Sequence, residues 1–162
     1  MELMSGNEAI AQGAWEAGCA IGVAYPGTPS TETLEAFGRK EGVYAEWCVN
    51  EKVALEVGVG ASAAGARVLA TMKHVGVNVA ADPLFTAAYT GVGGGLVILA
   101  ADDPGMYSSQ NEQDSRYYAQ AAAVPCLDPA DSAEALRFAR EAFDLSERFD
   151  VPVMLRSSVR IS

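Results

Sequence analysis

The chain has 162 residues, half of them hydrophobic, which suffices for one domain with a substantial core and would be crowded for two. Its formal net charge of −10 argues against nucleic acid or an anionic membrane as a partner, since both call for a positive patch. No apolar run reaches the roughly 20 residues that span a bilayer and the N-terminus lacks a signal-peptide pattern, so a cytoplasmic protein is expected.

In chain order, Asn7 to Gly18 carries Ile10, Ala14 and Ala17 at the spacing of one helix face, with Gly18 as a stop. Cys19 to Tyr25 reads as a buried strand running into the turn Tyr25-Pro26-Gly27-Thr28-Pro29-Ser30, where Ser30 or Thr31 can cap a helix to about Gly38. Val43 to Cys48 is a second strand. After it, Asn50 suits the N-cap of a helix with Glu51 in its first turn and Lys52 and Glu56 paired at i,i+4. From Gly58 to Gly65 that helix is almost wholly Gly, Ala and Ser, which weakens helix propensity and lets a neighbour come close. Val68 to Met72 is a third strand, with Lys73-His74-Val75-Gly76 as a polar exit. Asn78 to Tyr89 is a helix that Pro83 could divide in two.

Gly91 to Gly95 leads into Leu96 to Ala100, a continuous apolar strand that ends at Asp102-Asp103-Pro104-Gly105. Tyr107 to Arg116 is unpatterned and reads as a loop, followed by a short helix from Tyr117 to Ala122 and a short strand from Val124 to Leu127. Asp131 to Phe149 is an amphipathic helix with Ala135, Phe138, Ala139, Ala142 and Leu145 on one face, and Val151 to Leu155 is the last strand. Apolar strands alternating with helices predict a three-layer, doubly wound α/β domain: a mainly parallel sheet of about six strands with helices on both faces. Such sheets bind ligands beyond the carboxyl ends of their strands, an edge that collects Tyr25 to Ser30, Glu51, Lys73, His74 and Asp102 to Ser109.

Several chemistries have no motif to carry them. There is no Gly-x-x-x-x-Gly-Lys-[Ser/Thr], and the glycines at 91 to 95 precede a strand, the wrong order for a helix N-terminus that holds a pyrophosphate. His74 is the one histidine, and no Gly-x-Ser-x-Gly elbow is present. Cys19, Cys48 and Cys126 are widely spaced without a Cys-x-x-Cys, so buried, inert thiols are expected rather than a disulfide, zinc or iron-sulfur site. Singly, the 25 to 30 turn, the first-turn Glu51, Lys73-His74 and Asp102-Asp103 all have ordinary structural readings.

Together these segments resemble one family. Tyr-Pro-Gly-Thr-Pro-Ser, Val-Asn-Glu-Lys-Val-Ala-Leu-Glu, Thr-Met-Lys-His-Val-Gly-Val-Asn-Val-Ala-Ala-Asp-Pro-Leu and Ala-Asp-Asp-Pro-Gly-Met-Tyr-Ser-Ser-Gln-Asn-Glu-Gln-Asp-Ser-Arg are similar, over essentially the whole chain, to the 2-oxoacid:ferredoxin oxidoreductases. Within that family the likeness is to the N-terminal, pyrimidine-binding domain of the indolepyruvate-oxidising alpha subunits. The resemblance implies a thiamine diphosphate site with Tyr25, Pro26, Gly27 and Thr28 on the cofactor side and Glu51 as the catalytic glutamate that hydrogen-bonds the pyrimidine nitrogen. It also implies Thr28, Lys73 and His74 as substrate-side groups. Asp102-Asp103 stand where some pyruvate-specific relatives carry an arginine, which fits a different substrate such as an aryl pyruvate.

By the same resemblance, Mg2+ and the diphosphate belong to another domain of the same or a neighbouring subunit, because the Gly-Asp-Gly to Asn signature is missing here. The 4Fe-4S clusters lie elsewhere in the complex, with no metal site in this chain. The implied partners are the diphosphate-binding domain, a beta subunit, ferredoxin, a 2-oxoacid and coenzyme A, and a dimer is expected. Residues 1–162 are then a single domain and a fragment of a longer subunit, inactive by itself. Two other readings stay open: a pyrimidine-domain subunit of a non-oxidative decarboxylase of the sulfopyruvate type, and a non-catalytic module that associates through its small-residue helix.

Overall fold

A computed structural model describes residues 3–162. The first helix, α1 (Gly6–Glu16), opens on Ser5, whose hydroxyl accepts from the Glu8 amide while the Glu8 carboxylate accepts from the Ser5 amide. There follow β1 (Ile21–Ala24), α2 (Thr31–Gly38), β2 (Tyr44–Trp47), α3 (Glu51–Ala63), β3 (Val68–Lys73), α4 (His74–Val79), α5 (Ala81–Thr90) and β4 (Leu96–Asp102). The chain continues through α6 (Arg116–Ala122), β5 (Cys126–Leu127), α7 (Ser132–Phe149) and β6 (Val153–Ser158).

The strands form one sheet in the order β2-β1-β3-β4-β6-β5, and every pairing is parallel. Alternation along the central strands divides the core between two faces. Val68, Ala70 and Met72 of β3 and Leu96, Ile98 and Ala100 of β4 pack under α3, α4, α5 and α6. Leu69 of β3 and Val97 and Leu99 of β4 face α1, α2 and α7. Each fully buried Leu, Ile or Phe in these clusters contributes roughly 1.5–3 kcal/mol of transfer free energy. The doubly wound α/β fold expected from the sequence is the fold observed.

Four local expectations need correction. Lys73 to Gly76 is not a polar exit, because β3 passes at His74 directly into α4, whose Val77 and the following Ala80 are buried in the core. The interruption in the next helical stretch falls at Ala80 rather than at Pro83, which sits in the first turn of α5 where a missing N–H breaks no helical bond. Phe138 and Leu145 are only partly buried on α7; its core face is turned to Ala135, Ala139, Ala142, Phe143 and Ser146. Cys19 and Cys48 are buried, but Cys126 is partly exposed. Burial pushes the Cys19 thiol up to about 12 and that of Cys126 to about 11, so these thiols stay protonated at neutral pH.

Candidate functional site

At the carboxyl edge of the sheet, β1 lies between β2 and β3 and leads away to β2, so the chain reverses its direction across the sheet at this point. That is where an open α/β sheet leaves a crevice. The turn after β1 is built by its own hydroxyls. Ser30 Oγ donates to the Gly27 carbonyl at 2.8 Å, and Thr31 Oγ1 accepts from the Gly27 amide at 2.9 Å. Neither residue therefore caps α2 with its side chain, as the sequence had suggested for Ser30 or Thr31; the bonds go to folding the turn on itself.

Asn7 pins the same turn from beneath. It is 4 % exposed, its Nδ2 donates to the Pro29 carbonyl at 3.0 Å, and its Oδ1 accepts from Thr33 Oγ1 at 2.7 Å. The outcome is a buried Pro29 and Ser30 below an exposed Thr28, with Tyr25 and Pro26 also reaching solvent. Sequence reasoning read Asn7 as no more than the start of a helix, and nothing local marks it, since its partners lie 22 and 26 residues away.

Lys73 ends β3 beside this turn. A methyl on Gly27 would lie 3.2 Å from Lys73 Cδ, so glycine lets the lysine stem pass over the turn. Lys73 Nζ then donates to the Ser108 carbonyl at 3.0 Å, while Ser108 Oγ lies 3.5 Å from the Thr28 carbonyl. Gly27, Thr28, Lys73 and the loop after β4 thus form one group. His74 is fully buried. Its Nε2 lies 3.0 Å from the Asn111 carbonyl, and because a carbonyl can only accept, Nε2 carries the proton. Its Nδ1 is buried without a partner. His74 therefore holds the loop from below instead of presenting its ring at the surface.

Glu51 stands in a second group, at the mouth of α3. Asn50 caps the helix through Oδ1, which accepts from the Val53 amide at 2.9 Å, and this fixes where Glu51 projects. Lys52 turns away to Asp82 at 3.0 Å, with Glu56 farther off at 3.8 Å. Glu51 is only 9 % exposed, and among the described residues no donor or cation meets its carboxylate. Of its apolar neighbours in sequence, Leu55 is buried and Val49 is 79 % exposed. The carboxylate lies against the backbone of α4 at Gly76. An acid at the positive end of a helix, with no partner among the described residues, keeps its hydrogen-bonding capacity for a ligand.

The other acids of the edge differ. Asp102, fully buried, accepts from the Ser115 amide and hydroxyl and from Arg156 Nε at 2.8 Å. Arg156 also meets Asp128 at 3.0 Å. Burial pushes the Asp103 carboxyl up, but the Ser109 hydroxyl and the Ser108 and Tyr107 amides outweigh it and hold the group below its ordinary value. These two aspartates, read from the sequence as a substrate-side substitution for an arginine, fasten the 103 to 115 loop over the end of β4.

The family model for "Pyruvate flavodoxin/ferredoxin oxidoreductase, thiamine diP-bdg", a thiamine diphosphate-binding domain, matches residues 12–159. The chain belongs to this family. Its relatives include the indolepyruvate oxidoreductase subunit IorA of Archaeoglobus fulgidus, 56 % identical over 97 % of this chain and 26 % of that protein. The corresponding subunit of Thermococcus kodakarensis is 52 % identical over 99 % of this chain and 25 % of its own length. The chain thus spans about a quarter of the curated relatives it matches. A solved 2-oxoglutarate:ferredoxin oxidoreductase from Magnetococcus marinus, with 2-oxoglutarate, coenzyme A and succinyl-CoA bound, superposes with a TM-score of 0.87 at 21 % identity, covering 96 % of this chain and 29 % of that one. That likeness is one of fold. In this member of the pyruvate flavodoxin/ferredoxin oxidoreductase family, the described residues contain no cluster of His, Cys, Asp and Glu able to hold a metal ion, and no helix long and apolar enough to cross a membrane.

Proposed function

We propose that this chain is the pyrimidine-binding half of a thiamine diphosphate site, in an enzyme that oxidatively decarboxylates aryl pyruvates, indolepyruvate foremost, to acyl-CoA with ferredoxin as electron acceptor. The observation that carries the reading is Glu51: an acid only 9 % exposed at the mouth of α3, with no donor for its carboxylate among the described residues. The identity to indolepyruvate oxidoreductase subunits over nearly the whole chain supports the substrate class and favours the oxidative reaction over a non-oxidative decarboxylase.

Thiamine diphosphate, when bound, supplies the electron sink for decarboxylation. The chain's residues orient it and manage its protons. Glu51 Oε1 or Oε2 shares a proton with the pyrimidine ring nitrogen, its side chain held against the backbone of α4 at Gly76. Tyr25, Pro26, Gly27 and Thr28 form the rim on the cofactor side, with Thr28 facing the space shared with substrate. Lys73, whose stem passes over Gly27 of that rim, meets the substrate carboxylate in this reading by exchanging the Ser108 carbonyl for it. His74 acts on the substrate side by setting the height of the loop at Asn111.

Residues 1–162 are in this reading one domain of a longer subunit. The diphosphate, its Mg2+ and the 4Fe-4S clusters are held elsewhere, by the diphosphate-binding domain of the same or a neighbouring subunit and by the rest of a complex with a beta subunit, itself dimeric. Three unpaired cysteines fit a reducing cytoplasm. The test is the assembled complex, supplied with coenzyme A and oxidised ferredoxin and offered indolepyruvate, phenylpyruvate and pyruvate in turn. Ferredoxin reduction is expected to be fastest with indolepyruvate. A preference for pyruvate would overturn the substrate class, and carbon dioxide release without ferredoxin reduction would overturn the oxidative reaction.

A further inference from the structure

Gly76 sits inside α4, a helix of six residues, although glycine weakens a helix relative to alanine. Its backbone is right-handed helix, so no dihedral calls for glycine. The reason is spatial. A methyl on its Cα would lie 2.6 Å from Glu51 Oε1, 2.7 Å from Cγ and 2.9 Å from Cδ, against 3.4–4 Å for ordinary contact. All three of the nearest atoms belong to one side chain. Gly58, by contrast, would bring its methyl to 3.3–3.5 Å from Val68, Leu96 and Val23, a tight fit that small shifts accommodate, and Gly60 faces open space.

Neither helix is free to back away. Val77 and Ala80 are 1 % exposed in the core beside β3, and α4 is joined to β3 with no intervening residue. On the other side, Ala54 and Leu55 of α3 are fully buried, and Asn50 fixes the first turn. The part that can yield is the flexible Glu51 side chain itself.

We infer that Gly76 is the positioning residue for Glu51: the bare Cα of α4 is the shape against which the carboxylate is seated, and any side chain at 76 turns the carboxylate out of its seat while the fold survives. This rests on the role proposed for Glu51 above. It also gives the glycine in Lys73-His74-Val75-Gly76 a function that is neither turn-making nor helix-ending.

The experiment uses the full complex and has two arms. In the first, Gly76→Ala, Glu51→Gln and the double variant are loaded with thiamine diphosphate and Mg2+, and exchange of the thiazolium C2 proton with deuterium is followed by quench and NMR. Gly76→Ala is expected to slow exchange by on the order of a hundredfold, and the double variant to be no slower than Glu51→Gln, because misplacing a reacting group and removing it act on the same step. Exchange in Gly76→Ala within about twofold of the wild type, or multiplicative losses in the double variant, overturns the inference.

In the second arm the cofactor-free complex is melted. Gly76→Ala is expected to lower Tm in the wild-type background and not in the Glu51→Ala background, where Cγ, Cδ and both carboxylate oxygens are gone. Equal losses in both backgrounds, or a double variant that fails to assemble, would show that Gly76 serves general packing and overturn the inference. Unchanged exchange in Glu51→Gln overturns the role proposed for Glu51, and the melting arm then judges the spatial claim by itself.

Discussion

Glu51 and Asp102 lie at the same edge of the same sheet, and both are buried acids, yet their surroundings are opposite. Asp102 is met by an amide, a hydroxyl and a guanidinium, all from its own chain. Glu51 meets the bare Cα of a glycine. Burial therefore does not tell these two acids apart; the supply of donors does. A carboxylate whose donors are all internal has its chemistry settled on folding, whereas one left short keeps its capacity for a ligand.

The largest test of this contrast is a pair of isosteric amides. In the assembled enzyme, Glu51→Gln is expected to lower turnover by on the order of a thousandfold, the span of a lost acid–base group. Its Tm should stay level, because no hydrogen bond or ion pair among the described residues is lost. Asp102→Asn is expected to lower stability by about 3 kcal/mol, since it leaves Arg156 short of its most buried partner. Urea melts of both variants check the signs, and a Glu51→Gln that destabilises more than Asp102→Asn would erase the distinction.

A smaller effect of the same kind is expected at Asn7. Asn7→Ala deprives the Pro29 carbonyl and the Thr33 hydroxyl of buried partners and should cost about 2 kcal/mol, with faster amide exchange confined to residues 27–33. The third test is acid titration. Arg116 beside Asp114 and Arg67 beside Glu147 hold those carboxyls below their ordinary 3.8 and 4.5, and the loop donors do the same for Asp103. Lowered folded values mean that the stability these groups add is present above the ordinary values and lost as pH falls through the depressed ones. Tm should thus be flat from neutral pH to about 5 and fall below about 4. Asp103→Asn should make that fall shallower; an unaltered acid limb would remove Asp103 from the set of satisfied acids.

How much of this could be read in advance follows the range of the interactions. The strands of the core, Leu96 to Ala100 above all, announce themselves as continuous apolar runs, and the Asn50 cap is a local signal that the structure keeps. The segment 73–76 reads as a polar exit because Lys73 and His74 are polar and Gly76 breaks helices, while what makes it helical is the burial of Val77 and Ala80 against a sheet that a local pattern does not contain. The hydroxyls of Ser30 and Thr31 were assigned to a cap because their competing partner, Gly27, serves only once the turn has closed. Glu51 was singled out by resemblance to a family. That it lacks donors depends on which helix packs over it, and no spacing of residues encodes that.

The direct join between β3 and α4 has a mechanical consequence. With no residue between Lys73 and His74 to absorb a change in backbone angles, the lysine near the turn, the histidine under the loop and the glycine against Glu51 ride on one stiff bar whose far end is a central strand. Hinges need a few compliant positions, and this side of the crevice has none at that junction. The 103 to 115 loop is tied to the same bar, through Lys73 Nζ at the Ser108 carbonyl and His74 Nε2 at the Asn111 carbonyl, so it inherits that stiffness at two points.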